Sequence, residues 1–394
     1  MKYSHLYIYF NMVVRNIMSI FILLLFYSCS NNHITRDESE YHDLTNLSEG
    51  IIDDIFEKVD LVPLQFEKET YPNTCNKIDI SDSLILITDV RQLVHIFDWE
   101  GHNLSCSNIK YGNGPGEYEI LMGAFFGKEM DQVIILSPFK MITYDRYFNT
   151  IREVHLPTKI GHTAMLYSYG YDLGKDKYLL LPTLTSEQPE RVDIFDSNKE
   201  TVIRTLNYPH GSTSFISMQN DCFSELPDST IILCPPAYTK YLYKLTQDSI
   251  IPYVNFSFGS EFLTKEEIDA TGSDIMNQSN LIFNSSREYP MRQMINSRLI
   301  ITLVRKNSSS TYDWYTIVSN RTKGSNLKIN LSNGKEFIFP SIRMIDENYA
   351  YTIYRKEFLI ENPTLLLNKK ELAEKDLKDI DMEDYVLLKY KFRK

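Results

Sequence analysis

The sequence predicts an all-β fold, a six-bladed β-propeller whose last blade is closed by the N-terminal strand and which carries short helical insertions. Three observations predict it. A strand-rich unit recurs about every 50 residues, its strands alternate apolar and polar residues, and each end of the body has an apolar strand without a nearby partner. Four antiparallel strands within about 40 to 50 residues are typical of one propeller blade.

The repeated unit opens with an apolar strand and later closes on an aromatic residue before a polar turn. Its five copies begin at Asp82, Asp131, Asp176, Asp228 and Ser297. The aromatic residues of the first four copies are Phe97, Tyr144, Phe195 and Tyr243, at intervals of 47, 51 and 48 residues. Such regular spacing indicates a repeat architecture, and we expect consecutive blades.

The strands before these turns read LVHIFD, MITYD, RVDIFD and KYLYKL, and each alternates apolar with polar residues. A period of two is typical of β-strands, whereas helical repeats show a period of about 3.6. Gly, Asn, Asp and Ser residues flank the strands, as turns between antiparallel strands require. Once the N-terminal segment and the insertions are set aside, about six such units fit the chain.

Two insertions are predicted to contain short helices. The aromatic residues of the fourth and fifth copies lie 72 residues apart, and the excess falls in residues 262–291. There, Thr264 and Glu267 have the spacing of a capping box, which predicts a helix over about residues 265–270. A second helix is predicted in NKKELAEKDLKDI, residues 368–380.

The two ends of the body are predicted to pair with each other. VDLVPLQFE, residues 59–67, precedes the first copy, and YVLLKYKFRK, residues 385–394, ends the chain. An unpaired strand edge invites aggregation, so a propeller is best closed by completing its last blade with the N-terminal strand.

The N-terminus is predicted to be an export signal. Residues 1–28 carry two basic residues and no acid, and their apolar run, residues 17–26, is shorter than the roughly 20 residues that a membrane-spanning helix needs. Ser28 precedes Cys29, which resembles the cleavage site of bacterial lipoprotein signals, with Cys29 as the lipidated residue. A plain signal peptide and an uncleaved anchor are the alternatives.

This interpretation divides the chain into a signal peptide (residues 1–28), a lipidated tether (residues 29–50) and the propeller (residues 51–394). We expect an outer-membrane lipoprotein that faces the periplasm or the cell surface and is attached to the membrane through its lipid. The chain has 52 acidic and 41 basic residues, a net charge of −11, and no basic cluster. That balance excludes nucleic acid as a partner.

Four cysteines would remain after export, namely Cys75, Cys106, Cys222 and Cys234. An oxidising compartment permits disulfides among them, and Cys222 with Cys234 is the first pair to test. Their spacing fits no zinc motif and a core of this size needs no covalent staples, so free or half-buried thiols are the simpler expectation.

A glycine-rich segment, YGNGPGEY, spans residues 111–118. Its motif residues are Gly112, Gly114, Pro115, Gly116, Glu117 and Tyr118. The pattern lacks the G-x-G-x-x-G of a dinucleotide site, and the proline removes a backbone N–H that a phosphate site would use. We interpret the motif as structural: glycines allow tight turns, Glu117 accepts backbone N–H bonds, and Tyr118 anchors the loop.

Together with the two end strands, this motif makes the chain resemble a large Bacteroidetes family of six-bladed β-propeller lipoproteins, which are NHL-like and mostly without an assigned function. The matching segments are VDLVPLQFE, HIFDWEGHNLSCSNIKYGNGPGEYEI and EDYVLLKYKF, which bracket the whole body. The resemblance implies the fold and supplies no catalytic residues. More distant NHL-type propellers and calcium-dependent lactonases include both binding proteins and hydrolases.

No local motif assigns catalytic or metal-binding residues. SPFK, residues 137–140, matches S-x-x-K but lies in a strand turn, where that motif requires a helix. DIDMED, residues 379–384, lacks the glycine and closing glutamate of a calcium loop, and His95 and His102 flank a turn. A site that takes one Asp, Asn, Glu or His from each of several blades would leave no local pattern.

The sequence therefore favours a non-enzymatic module that binds a glycan, peptide or protein through one face or the central channel, with no cofactor evident. The alternative is a calcium-dependent hydrolase or lyase with its site at the central axis. The structural criterion is whether three or more Asp, Glu, Asn or His side chains converge there.

Overall fold

Six β-sheets, one for each blade, form a ring, which confirms the predicted all-β, six-bladed propeller. The computed structural model describes residues 39–394 except for residues 130, 158, 161–162, 165, 183–190, 209–218, 237–239, 273, 308–311, 368–376, 379–380 and 382–383. The predicted signal peptide and Cys29 lie outside the described residues.

The strands follow one another around the ring in chain order. The segment before the first blade contains β1 (Glu40–Asp43), β2 (Ser48–Glu49), the short helix α1 (Ile52–Ile55) and β3 (Phe56–Pro63). Blade 1 consists of β4 (Cys75–Ile80), β5 (Ile85–Asp89), β6 (Val94–Phe97) and β7 (Asn103–Cys106). Blade 2 consists of β8 (Gly123–Phe126), β9 (Val133–Ser137), β10 (Lys140–Tyr144) and β11 (Thr150–His155), and a hairpin of β12 (Lys159–Ile160) and β13 (Thr163–Ala164) follows it.

The second half repeats the arrangement. Blade 3 consists of β14 (Tyr167–Gly174), β15 (Lys177–Pro182), β16 (Arg191–Asp196) and β17 (Thr201–Asn207). Blade 4 consists of β18 (Phe223–Glu225), β19 (Ile231–Leu233), β20 (Tyr241–Leu245) and β21 (Ile250–Ser257), and is followed by helices α2 (Lys265–Asp269) and α3 (Ile275–Asn284). Blade 5 consists of β22 (Glu288–Ile295), β23 (Leu299–Asn307), β24 (Tyr312–Asn320) and β25 (Ser325–Asn330). Blade 6 contains β26 (Met344–Ile345), β27 (Tyr349–Arg355), helix α4 (Lys356–Glu361) and β28 (Tyr385–Phe392).

The core consists of apolar layers between neighbouring blades. Between blades 1 and 2, for example, Leu86 and Ile96 pack with Ile135 and Ile142, and all four side chains are inaccessible to solvent. Both faces of each sheet are covered, so the second strands β5 and β9 are buried along their whole length. This explains why the sequences of β5 and β9 are continuous apolar runs. The third strands of the same blades, β6 and β10, still alternate apolar and polar residues.

The ring is closed as predicted. β3 pairs antiparallel with β28, with Val62 opposite Leu387 and Val59 opposite Tyr390, and it forms the outer strand of blade 6. β3 and β28 thus lie side by side in one sheet. Their facing edges are hydrogen-bonded to each other, so neither is an exposed edge that could aggregate.

The segment before β3 also belongs to the propeller edge. β1 pairs in parallel with β21 of blade 4, and β2 pairs in parallel with β25 of blade 5. Arg321 holds β1 in place, since its guanidinium lies 2.8 Å from Glu40 Oε2. The pairing with the propeller thus begins at Glu40, within the segment predicted as a tether over residues 29–50. Strands this short, added to an outer edge, show no alternating pattern in the sequence.

The helical insertion after blade 4 contains the predicted helix and one more. In α2, the Thr264 hydroxyl accepts a hydrogen bond from Glu267 N and the Glu267 side chain accepts one from Thr264 N, which confirms the capping box. Helix α3, capped by Asp274, was not predicted. The helix predicted at residues 368–380 lies largely outside the described residues. Of the helices that are described, none is long and apolar enough to cross a membrane.

Candidate functional site

A cavity of about 460 Å³ lies on the channel axis and is lined by the innermost strands of all six blades. We call it the central cup. One lining residue from each blade, in ring order, is Asp79, Phe125, Tyr171, Glu225, Gln293 and Arg343. Sites for small molecules usually measure about 300 to 1,000 Å³ and sit where several elements converge. The central cup is therefore the candidate site of this fold.

The segment just before β18 forms the floor of the cup. The Gln219 side chain donates from Nε2 to Gln293 O at 2.6 Å and accepts from Gln293 N at 3.0 Å, which ties blade 4 to blade 5. Tyr169 of blade 3 donates its hydroxyl to Gln219 O at 3.2 Å. The Gln293 side chain is only 6% exposed, and its Nε2 has no hydrogen-bond partner among the described residues.

The same segment reaches across the channel. Asn220 donates from Nδ2 to Arg343 O of blade 6 at 3.2 Å. Asp221 Oδ2 lies 4.0 Å from Lys77 Nζ of blade 1, the blade opposite blade 4 in a ring of six. Residues 219–221 thus contact four other blades. They line the cavity together with the innermost strands.

Blades 5 and 6 give the cup a basic side. Arg292 donates from Nη1 to Ile342 O at 2.5 Å, and Arg343 donates from Nη1 to Cys75 O and Asn76 O, both at 2.7 Å. Burial, together with the smaller effect of the neighbouring Arg343 charge, lowers the pKa of Arg292 to about 9. Burial also lowers the pKa of Arg343. Both groups stay cationic at neutral pH, so two positive charges lie side by side.

Blades 1 and 4 give the cup an acidic side. Asp79 accepts hydrogen bonds from Ile80 N at 2.9 Å and Phe126 N at 2.8 Å. Burial raises the pKa of Asp79 to about 6; the nearby Lys77 charge opposes this rise and the Asp221 carboxylate adds to it. Asp79 and Asp221 therefore share one lysine, and this side of the cup carries a net negative charge at neutral pH.

The rim is held by a polar cluster from blades 2, 3 and 4. Lys128 Nζ lies 3.3 Å from Glu225 Oε2 and 5.3 Å from the centre of the Tyr171 ring, while the Tyr171 hydroxyl donates to Glu225. The Asp172 carboxylate accepts hydrogen bonds from Lys128 N at 2.9 Å and from Gly174 N at 2.6 Å. These two bonds connect the backbone after β8 to the end of β14. These contacts order the rim without filling the cup.

Within the part of the chain that the structure describes, no group of three or more His, Cys, Asp or Glu side chains could hold a metal ion. Asp79 and Asp221 lie near Lys77, and the cup lining also includes the acidic residues Asp82, Asp172, Glu225, Asp346 and Glu347. Several carboxyl groups therefore line the cup, although the described ones form no such metal-holding group.

One family model matches this chain over residues 39–386, and its description is DUF4934, a domain of unknown function. The chain belongs to the DUF4934 family. The match covers the whole ring from β1 to the start of β28, so the family is defined by the propeller itself.

Solved structures of two Bacteroides proteins share the fold of this DUF4934 chain. A Bacteroides fragilis protein described as exported has 16% sequence identity and a TM-score of 0.68, over 90% of this chain and 99% of that one. A member of the DUF4221 family from Bacteroides vulgatus has 13% identity and a TM-score of 0.52, over 86% and 97% of the two chains. A comparison with curated proteins finds no match. At these identities, the likeness to the two Bacteroides proteins shows the fold alone.

The glycine-rich motif lies away from the cup, in the connection from β7 of blade 1 to β8 of blade 2. Glu117 Oε2 accepts from Gly114 N at 2.8 Å, and a Cβ on Gly112 or Gly114 would collide with that carboxylate. Gly116 has a φ of +66°, a conformation that favours glycine. Its carbonyl accepts from the Tyr144 hydroxyl at 3.0 Å, so the turn is fastened to blade 2.

Tyr118 connects the motif to blade 1. Its side chain is inaccessible to solvent, and its hydroxyl donates to Gln92 O at 2.9 Å and lies 2.5 Å from Ser107 Oγ. Pro115 lies in the turn between these anchors. Every described contact of the motif is thus made within the protein, and the assignment of the six residues as structural stays a prediction consistent with them.

Of the other residues singled out in the sequence, those that the structure describes are not among the residues that line the cup. The four described cysteines are free and buried, including Cys222 and Cys234. His95 is buried beside Asp89, and His102 lies on the surface beside Asp98. Ser137 ends β9, and Lys140 contacts Glu153 at 3.3 Å, so SPFK is a strand turn. Most of DIDMED lies outside the described residues. Cys29 lies outside them as well.

Sequence reasoning missed the cup residues Asp79, Asp221, Gln293 and Arg343. Each lies in or beside an innermost strand, and these strands precede the repeated copies. One signal could have found them: charged and amide side chains placed just before each copy, where a propeller strand faces the axis.

Proposed function

We propose that this chain is a lipid-anchored protein of the bacterial outer membrane, facing the periplasm or the cell surface, which binds a small polar ligand in the central cup. The cup carries this proposal. It is lined by all six blades, it has the volume of a small-molecule site, and charged side chains of both signs line it. A propeller core by itself would be more stable with apolar groups there.

The location and the anchor rest on separate support. The short apolar leader with Ser28 and Cys29 resembles a lipoprotein signal, and the Bacteroides fragilis protein of the same fold is described as exported. We also infer a likeness to NHL-type propellers, which include both binding proteins and hydrolases. Metabolic labelling with a radioactive fatty acid tests the anchor: the full chain should take up the label, and Cys29→Ser should not. Label in the variant would refute lipidation at Cys29.

A ligand screen tests the binding function. The full chain is screened by thermal unfolding against amino acids, short peptides, sugars and calcium. A ligand at one hundred times its Kd should stabilise the fold by about 2.7 kcal/mol. The shift should survive Arg146→Gln, which lies outside the cup beside Asp131, and should disappear in Arg343→Gln. If no compound stabilises the wild type in a cup-dependent way, the proposal is wrong. Stabilisation by calcium alone would instead favour the metal-dependent hydrolase.

A further inference from the structure

Among the described residues, the acidic side of the central cup has two carboxyl groups for one ammonium, and Arg343 on the basic side has no carboxylate partner. On the acidic side, Asp79 and Asp221 share the ammonium of Lys77. On the basic side, the described hydrogen bonds of Arg343 both run from Nη1 to main-chain carbonyl oxygens, and among the described residues no carboxylate lies within ion-pair distance of it. A buried charge is costly unless it is paired, so both sides favour a ligand that brings the missing charge.

An independent observation marks the basic side as a place for a ligand oxygen. Gln293 Nε2 is buried in the cup wall and has no described acceptor, although buried amide N–H groups are nearly always hydrogen-bonded. The Arg343 guanidinium has five N–H donors in a planar fork, a geometry that matches a carboxylate. Both side chains line the cup, which therefore contains an amide donor and a cationic donor.

The space between the two sides suits a compact molecule with an apolar part. Phe125 and Phe223 are part of the lining, and Met294 lies beside the basic side. The cavity volume of about 460 Å³ equals the liquid volume of roughly 15 water molecules. A single amino acid or a short peptide fits this volume, whereas a folded partner does not.

We infer that the central cup binds a small zwitterion with free amino and carboxyl groups, a free amino acid or a short peptide. Arg343 and Gln293 hold the ligand carboxylate, and Asp79 and Asp221 hold its ammonium. This inference rests on the proposed function, because it assigns a ligand class to the same cup. An acidic sugar would compensate only the basic side, and a cationic amine only the acidic side.

The first experiment changes the ligand and leaves the protein intact. Binding to the full chain in detergent is measured by calorimetry for alanine, alanyl-alanine and trialanine, and for alanyl-alanine with an acetylated amino group, an amidated carboxyl group, or both. We expect each blocking group to weaken binding by about tenfold or more, since a hydrogen bond between charged groups is worth that much. The length series identifies the amino acid or the peptide as the better ligand.

The second experiment assigns each ligand end to a side of the cup. Arg343→Gln should weaken the binding of free alanyl-alanine about tenfold and should abolish the further effect of amidation. Asp221→Asn should likewise weaken the binding of free alanyl-alanine about tenfold, and it should abolish the further effect of acetylating the amino group. Such non-additivity marks a direct contact. The matched controls Arg146→Gln and Asp60→Asn remove charges outside the cup and should leave every affinity unchanged.

Two results would overturn the inference. If doubly blocked alanyl-alanine or glucose binds as tightly as the free dipeptide and binding still depends on the cup, the ligand class is wrong while the proposed function stands. If no compound of this series binds, the zwitterion assignment falls, and the wider ligand screen then decides separately whether the cup binds anything. Because the ligand series needs no variant, it decides even if Arg343→Gln fails to fold.

Discussion

At the scale of single residues, Tyr118 shows how a motif residue can support the fold through hydrogen bonds made within the protein. The buried hydroxyl joins Gln92 of blade 1 to Ser107 in the connection that leaves that blade, and the ring packs among the side chains between blades 1 and 2. Burial raises the pKa of Tyr118 far above its ordinary value. The phenol therefore stays neutral and serves as a hydrogen-bond bridge.

Tyr118→Phe should lower the free energy of unfolding by about 1 to 2 kcal/mol, because it leaves the buried Gln92 carbonyl without its donor while keeping the ring. Urea denaturation measures the change. The matched control is Tyr111→Phe in the same loop, whose side chain is 53% exposed and which should cost less than about 0.5 kcal/mol. Equal effects of the two substitutions would show that the buried hydroxyl contributes nothing.

Asp79 should make the stability of the fold depend on pH. Its pKa is raised from 3.8 to about 6, mainly by burial, with the Lys77 charge opposing the rise and Asp221 adding to it. The folded state therefore binds this proton more tightly than the unfolded chain. The contribution of Asp79 to stability is greatest at low pH, falls as the pH rises from about 4 to 6, and is constant above that.

The comparison with Asp79→Asn isolates this effect, since the amide does not titrate. Between pH 7.5 and pH 5, the stability of the wild type relative to the variant should rise by about 1 kcal/mol. Unfolding in urea at both pH values measures the difference. A pH-independent difference would mean that Asp79 has an ordinary pKa, and the electrostatic account of the acidic side would then fail.

At the scale of elements, the N-terminal segment acts as a strap over two blades. β1 and β2 lie on the outer edges of blades 4 and 5, and Asn326 of blade 5 donates from Nδ2 to Asp43 O at 2.8 Å. Burial acts to raise the pKa of Glu40, but the hydrogen bonds from His42 and Arg321 outweigh it and hold the pKa below its ordinary value. An ionised Glu40 is thus part of the strap.

Glu40→Gln should loosen β1 selectively. The substitution removes charge-assisted hydrogen bonds to Arg321, and such bonds are worth about 1.5 to 3 kcal/mol. Amide hydrogen exchange of Tyr41 to Asp43 should become about tenfold faster or more, while exchange in β3 and β28 stays unchanged. Glu49→Gln on the exposed β2 is the control. Faster exchange throughout the ring would contradict a local role of the strap.

The elements also show what could be predicted from sequence and why. The third strands β6, β10, β16 and β20 were recognised from their alternation, and α2 from its capping box. The innermost strands were missed because they face a polar channel: β22 contains Pro290 and Arg292, and β26 has two residues. The cup residues lie in or beside those strands, so the pattern that revealed the fold could not reveal the site.

At the scale of the whole molecule, the ring brings together residues that are far apart in the chain. Lys77 and Asp221 approach across the axis, and Arg343 reaches Cys75 and Asn76 from the far end of the sequence. Such contacts exist only when the ring is closed. The site therefore depends on the pairing of β3 with β28, and closure becomes a condition for function as well as for stability.

Removal of residues 385–394 should open the ring. The deletion takes away the buried Val386, Leu387 and Leu388 and leaves the edges of β27 and β3 unpaired. We expect the truncated chain to lose its cooperative thermal transition, measured by calorimetry. We also expect it to aggregate, measured by light scattering. A synthetic peptide of residues 385–394 should restore the monomer, because it can occupy the gap as a strand between β27 and β3.

The control for this truncation ends the chain after Phe392, so it keeps all of β28 and removes only the two residues that follow it. Its unfolding should resemble that of the full chain, apart from the loss of the hydrogen bonds that Arg393 makes with Ile55 O, Asp53 O and the Arg298 guanidinium. If the longer deletion also unfolds cooperatively as a monomer, blade 6 does not close the ring. The cup must then be held by the five other blades, and its ligand binding should persist in the truncated chain.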